Sequence, residues 1–193
     1  GRLFEDTFAR ALAGEEGFAV LRESREQGGS SSPLIPLRTR FNDDRFQAAL
    51  AVGIRQVVLL AAGMDSRAFR LPVPADATVF EVDHPAVMAL KEARLRGAEP
   101  CCRRRVVPMD LREDWPAALI GAGMDPARRT LWLVEGLLSY LDGDAAALLF
   151  QRLTALSPSQ SVVLFDVPGR TLLKSPAMAR ELEFLSRLGA PWR

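Results

Sequence analysis

The sequence predicts an α/β fold, a Rossmann-like, doubly wound and mostly parallel sheet with helices on both faces, and three observations predict it. Short, largely apolar runs recur at residues 57–62, 79–82, 131–134 and 162–165, the first of them unbroken. They are too short for free-standing helices and rich in branched side chains, the pattern of strands buried on both faces. Helical patterns separate them, and that alternation builds parallel sheets, here in the expected order 3-2-1-4-5. The second to fifth expected strands also end in an acidic residue: Asp83, Asp110, Glu135 and Asp166. Acids at the carboxyl ends of neighbouring strands surround one crevice, where open α/β sheets hold their ligands.

Residues 1–27 read as helical, with Phe4, Phe8, Ala11 and Leu12 at helical spacing and Phe18 and Leu21 beyond Gly14. Gly28 to Pro33 is a flexible breaker. It divides the chain into an N-terminal helical segment, residues 1–36, and a nucleotide-binding unit, residues 37–193. A helix through Val52 carries Arg38 and Arg40, which read either as a solvated basic pair or as a grip on a ligand carboxylate. The first strand, Val57 to Ala62, breaks at Gly63, and Asp65-Ser66 signals a helix start.

The second strand, Thr78 to Val82, leads to Asp83. His84-Pro85 then opens a helix to about Arg96, proline fitting the first turn. His84, the single histidine, reads as a helix cap, a ribose neighbour or a catalytic group. The third strand, Arg104 to Met109, ends in Asp110-Leu111. Asp110 could accept an adenine amino group while Leu111 packs on the ring, or it could cap a helix from Arg112. The run Arg103-Arg104-Arg105 reads as solvated. Leu131 to Val134 is the fourth strand, Gly143 to Leu156 a helix, Ser161 to Phe165 the fifth strand and Ser175 to Leu188 a further helix.

The first turn narrows the ligand. A strand, a glycine turn and an acid twenty residues after Gly63, at Asp83, suit a nucleoside, because that acid can accept the ribose hydroxyls. The same features also describe an ordinary buried strand and turn. A dinucleotide site wants Gly-x-Gly-x-x-Gly, whereas Ala61-Ala62-Gly63-Met64-Asp65 offers one glycine and a carboxylate that would repel a pyrophosphate. A nucleoside with a cationic tail is tolerated, and S-adenosyl-L-methionine is such a molecule. Two rivals stand beside it: a nicotinamide-dependent (NAD) oxidoreductase on a similar sheet, and a non-catalytic, truncated relative.

Composition excludes other classes. With 193 residues, 48% of them hydrophobic, the chain can bury a sizeable core. A net charge of +1 supplies no field for nucleic acid or an anionic membrane. No apolar run approaches the roughly 20 residues that span a bilayer, and no signal peptide is visible. The two cysteines, Cys101 and Cys102, are adjacent. They lack metal-site spacing, and a bridge between neighbours would be strained. The expectation is a cytoplasmic protein with reduced thiols, no metal, and a small-molecule partner.

Several stretches together resemble the leucine carboxyl methyltransferase family, including its bacterial S-adenosylmethionine-dependent branch and the related tetracenomycin-type polyketide carboxyl methyltransferases. They are Arg38-Thr-Arg-Phe, the segment from Gln56 to Leu71, Phe80-Glu-Val-Asp-His-Pro, Asp110-Leu-Arg-Glu-Asp-Trp and Glu135-Gly-Leu-Leu-Ser-Tyr-Leu. The resemblance implies a class I methyltransferase fold and O-methylation of a carboxylate or hydroxyl on a small molecule. It implies that Gly63 lines the cofactor turn, Asp83 binds ribose, Asp110 and Leu111 hold adenine, and Glu135 with Arg38 or Arg40 contacts the methionine portion. Ala61 stands where the family often has glycine, and Ser66 where it often has threonine. Relatives continue past a Gly-Ala-Pro-Trp segment into a region supplying the last strands and part of the acceptor pocket. The resemblance thus implies missing C-terminal strands and an open edge on the fifth strand, to be covered, paired with another chain as in a homo-oligomer, or disordered. No catalytic base is assigned; for a hydroxyl acceptor, His84 and the lone tyrosine, Tyr140, are the candidates.

Overall fold

Five strands form one sheet: β1 (Gln56–Leu60), β2 (Thr78–Asp83), β3 (Arg103–Pro108), β4 (Thr130–Val134) and β5 (Val162–Phe165). Their order is β3-β2-β1-β4-β5 and every adjacent pair is parallel. The computed structural model describes residues 3–26, 34–189 and 192, so the breaker expected at 28–33 lies outside the described residues. The helices are α1 (Ala9–Glu26), α2 (Leu34–Ala51), α3 (Arg67–Arg70), α4 (Pro85–Arg94), α5 (Trp115–Gly121), α6 (Gly143–Ala155), α7 (Arg170–Leu173) and α8 (Pro176–Arg187), with a 3₁₀ turn at Leu138–Tyr140.

Side-chain alternation explains the largely apolar runs. Val57 and Leu59, Val79, and Leu131 and Leu133 point to one face, where Leu12, Phe46, Leu50, Phe69 and Met88 cover them. Val58 and Leu60, Phe80 and Val82, and Trp132 and Val134 point to the other, under Trp115, Leu119, Leu149 and Leu153. Strand side chains alternate with period two, so a strand covered on both sides is apolar at most positions; Gln56, Glu81 and Thr130 are buried polar exceptions. The edge strand β5 is less covered, with Val162 and Phe165 exposed. It pairs with β4, and among the described residues no strand pairs with its other side.

The N-terminal segment belongs to this core rather than standing apart. Leu12 is buried within it, Phe8 packs on Phe69 with ring centroids 5.6 Å apart, and Arg94 of α4 donates to the Leu12 carbonyl at 2.6 Å. The division expected between residues 36 and 37 falls inside α2. No helix among the described residues is long and apolar enough to cross a membrane.

The strand order positions the site. From β1 the chain moves outward through β2 to β3, then returns to the other side of β1 as β4. Between β1 and β4 the winding reverses, and the helical connections diverge to opposite faces. Such a switch point leaves a crevice beyond the carboxyl ends of the two strands.

Candidate functional site

A cavity of about 360 Å³ occupies that crevice. Its floor is Leu59 to Ser66, the end of β1 and the following turn, with Leu133, Glu135 and Gly136 from the end of β4. The turn is tight. Ala61 (φ 52°) and Gly63 (φ 47°) both take the left-handed region, which costs Ala61 roughly 1–2 kcal/mol and Gly63 almost nothing. A Cβ at Gly63 would meet nothing nearer than the Ala61 carbonyl at 3.9 Å. Backbone conformation, not crowding, is therefore what calls for glycine here.

Three guanidiniums and three carboxylates line the cavity: Arg38, Arg67 and Arg70, with Asp6, Asp65 and Glu135. Arg67 is the hub, only 3% exposed. It donates to Asp43 Oδ1 at 2.8 Å, pairs with Asp65, and lies 2.9 Å from Glu135 Oε2. Burial opposes its charge, but Asp65, Glu135 and Asp43 outweigh burial and hold the guanidinium above its ordinary value. Burial likewise raises the Asp65 carboxyl, against the pull of Arg67. Arg70 makes two bonds to Asp43, at 2.7 and 2.8 Å. Arg38 joins Glu135 Oε1 at 2.8 Å to Asp166 Oδ2 at 3.0 Å. Despite the ion pair with Arg67, Glu135 Oε2 is buried and accepts no hydrogen bond among the described residues.

Asp65 differs from the sequence reading. Its carboxylate is turned into the pair with Arg67 and accepts the Arg67 N–H at 2.7 Å, so no bare negative charge faces the turn. The helix after it is the single turn α3. Ser66 precedes α3 without capping it; its hydroxyl donates to Asp6 Oδ2 at 2.6 Å instead, tying the N-terminal segment to the site.

The candidate residues separate. Arg38, Gly63 and Glu135 line the cavity. Asp83 borders it through the turn: Oδ2 accepts the Gly63 N–H at 2.6 Å, and Oδ1 accepts its neighbour's, His84 N–H, at 2.6 Å. Asp110 and Leu111 lie one strand further out, beyond β3, and do not line it. There Arg112 chelates Asp110 through side chain and backbone, holding its carboxyl down to about 2. The two acids stay linked, because Met109 N–H donates to the Asp83 carbonyl at 2.8 Å. Arg40 is not at the cavity; it is exposed, paired with Asp44 at 2.9 Å and with the Leu3 carbonyl at 2.9 Å. His84 caps α4, its Nδ1 accepting the Ala86 N–H at 3.3 Å.

Two groups were invisible in the pattern. Asp43, Arg67 and Arg70 form the buried base of the site although 24 and 27 residues separate the partners. Under β2, Glu81 is fully buried and its Oε2 accepts from Lys91 and from Arg104, each at 2.7 Å. Arg104 is thus not solvated: its side chain is 8% exposed and also pairs with Glu92 at 2.7 Å. An apolar strand with one acid gives no local sign of a buried ionic partner. Beside this cluster, burial and then the Glu81 charge push the Cys102 thiol up to about 11. Among the described residues the two cysteines are free.

Comparison with known proteins agrees with this architecture. A crystal structure of a methyltransferase-like protein from Thermobifida fusca superposes with a TM-score of 0.67 at 20% identity, covering 94% of this chain and 72% of that one. A DUF574-family structure from Streptomyces avermitilis gives 0.64 at 23%, covering 93% and 70%. At such identities the likeness is one of fold. Sequence relatives are nearer. A Mycolicibacterium gilvum protein named "Putative S-adenosyl-L-methionine-dependent methyltransferase" is 49% identical over 168 residues, 85% of this chain and 55% of its own length. A Mycobacterium protein (strain JLS) of the same name is 57% identical over 138 residues, 70% of this chain and 45% of its own. The chain thus spans about half the length of the curated relatives it matches. The family model for leucine carboxyl methyltransferase matches residues 1–154. Fold, strand-end acids and family match agree, and the chain belongs to the leucine carboxyl methyltransferase family.

Proposed function

We propose that the cavity at the β1–β4 switch point binds S-adenosyl-L-methionine, and that the chain is the cofactor-binding part of an O-methyltransferase acting on a carboxylate or hydroxyl of a small molecule. The observation that carries this reading is Glu135 beside the Arg38 guanidinium: its buried Oε2 is ion-paired with Arg67 at 2.9 Å but accepts no hydrogen bond among the described residues, in a cavity whose other charges balance. An acceptor and a donor set side by side suit the ammonium and carboxylate of an amino-acid tail, not a polyanion. The nucleoside end fits as well. Asp83 gives one lone pair from each oxygen to a backbone amide, and a carboxylate offers about four, so the rest can accept ribose hydroxyls. Asp110 and Leu111, next along the sheet edge, suit the adenine.

Bound there, the cofactor supplies an electrophilic methyl group on a sulfonium sulfur. This chain's residues bind and orient. Arg38 and Glu135 hold the amino-acid tail, Asp83 holds the ribose, and the walls exclude water, which can supply several kcal/mol of rate enhancement. A carboxylate acceptor is already ionised and needs no base. His84, which caps α4, and Tyr140 are given no catalytic role.

The test is equilibrium titration of the parent and of Glu135→Gln with S-adenosyl-L-methionine and with 5′-methylthioadenosine, which lacks the amino-acid tail. Glu135→Gln should weaken S-adenosyl-L-methionine about tenfold or more and leave methylthioadenosine nearly unchanged. Equal losses for both ligands would contradict the assigned orientation.

A further inference from the structure

A second cavity, of about 550 Å³, lies beyond the carboxyl ends of β4 and β5. Its volume is in the range of small-molecule pockets, roughly 300–1,000 Å³. We propose that it is the methyl-acceptor pocket and takes an apolar small molecule with a hydrogen-bond-accepting oxygen; this rests on the cofactor reading above. Three observations carry the assignment.

The first is composition. Leu138, Val167, Leu173, Leu182 and Trp192 form the wall with serine hydroxyls, and among the described residues no charged side chain lines it. The contrast with the six charged groups of the first cavity is sharp: the first suits an ionic tail, whereas the second suits an apolar body whose one polar group meets a donor at the wall. The second is an unused donor. Trp192 Nε1 is buried and has no acceptor among the described residues, although buried indole N–H groups ordinarily find one. The ring is steadied edge-on by Tyr140, centroids 6.4 Å apart. A ligand oxygen would supply the missing acceptor.

The third is continuity. Glu135 and Gly136 line the first cavity, and Leu138 the second. Asp166 joins them: Oδ1 accepts the Gly136 N–H at 2.7 Å, Oδ2 accepts from Arg38, and the next residue, Val167, lines the apolar cavity. The two spaces share this wall, so an apolar body held in the second cavity sits next to the tail-binding end of the first.

The experiment uses 2-naphthoate, a flat apolar bicycle with one carboxylate, titrated calorimetrically into the purified chain with excess S-adenosylhomocysteine present. S-adenosylhomocysteine affinity is measured first, and melting confirms that each variant is folded. The parent should bind naphthoate at about 1 mM or tighter. Leu182→Glu, which places a negative charge in the cavity, and Ser186→Trp, which fills it from an exposed helix position, should each weaken naphthoate tenfold or more. Trp192→Phe should weaken it about fivefold. S-adenosylhomocysteine affinity should stay within about twofold in all three. Failure of the parent to bind naphthoate, equal binding by parent, Leu182→Glu and Ser186→Trp, or displacement of S-adenosylhomocysteine by naphthoate would overturn the proposal. A parent that binds no S-adenosylhomocysteine would instead overturn the cofactor reading, and the acceptor role with it, a result visible before any naphthoate is added.

Discussion

The carboxylate of Asp83, at the end of β2, accepts the backbone N–H of Gly63 at 2.6 Å, across the sheet edge from β1. The acid therefore does two things at once: it pins the turn after β1 and presents its remaining lone pairs toward the crevice. A hydrogen bond to a charged group is worth about 1.5–3 kcal/mol, so Asp83→Ala should weaken S-adenosyl-L-methionine binding tenfold to a hundredfold or more. It should also lower the melting temperature, since the Gly63 and His84 amides lose their acceptor. Calorimetric titration of the folded variant checks this, and parent-like affinity in Asp83→Ala would remove Asp83 from the ribose site.

The strand runs and their order were legible because apolar patterning and the parallel-sheet connection rules act locally. The site was legible only in part. Arg38 and Arg40 looked equivalent in the sequence, yet residues two apart on a helix point to different sides. Only Arg38 reaches the cavity; Arg40 turns to Asp44. Asp110 offered itself as a helix cap, but Asp114 caps α5, accepting the Ala117 N–H at 3.3 Å. The Asp43–Arg67 pair and the Glu81–Lys91–Arg104 cluster depend on tertiary placement, and charged residues in a sequence carry no sign of the partner they will meet in space.

The left-handed turn predicts a stabilising substitution. Ala61 holds φ 52°, a conformation that glycine adopts freely. Ala61→Gly relieves roughly 1–2 kcal/mol of strain against about 0.4–1 kcal/mol of added unfolded-state entropy. The net gain should be of order 0.5–1 kcal/mol, a rise in melting temperature of about 1–4 °C by calorimetry. A fall would contradict the strain assigned to this turn.

Glu81 carries the buried charges under β2. Removing one partner of a buried ion pair costs about 3–5 kcal/mol, because the other charge is left uncompensated. Lys91 is fully buried and Arg104 nearly so, so Glu81→Ala should lose stability in that range in urea unfolding. A loss under 1 kcal/mol would mean that water reaches both cations in the folded protein.

Asp65 anchors Arg67, so it is more than a turn residue. Asp65→Ala leaves that guanidinium with Asp43 and Glu135; the cost should exceed that of a lost helix cap, about 1 kcal/mol, and reach about 2–3 kcal/mol. Thermal unfolding of the variant decides between the two magnitudes.

The cysteines should react unequally. Cys101 is exposed, whereas Cys102 is half-buried with its thiol raised to about 11. Thiolate is the reactive form, so at pH 8 Cys102 stays protonated, and its reactivity should rise only as pH approaches 11. Mass spectrometry after brief iodoacetamide treatment should find the label mainly on Cys101. Equal labelling of both would contradict the burial assigned to Cys102.

The central claim is that the β1–β4 crevice holds S-adenosyl-L-methionine, and calorimetric titration of the purified chain with S-adenosyl-L-methionine and, in parallel, with NAD tests it most directly. The account predicts saturable one-to-one binding of S-adenosyl-L-methionine, weakened tenfold or more by Asp83→Ala, and no saturable binding of NAD. Saturable binding of NAD, or no binding of S-adenosyl-L-methionine by the folded chain, would contradict it.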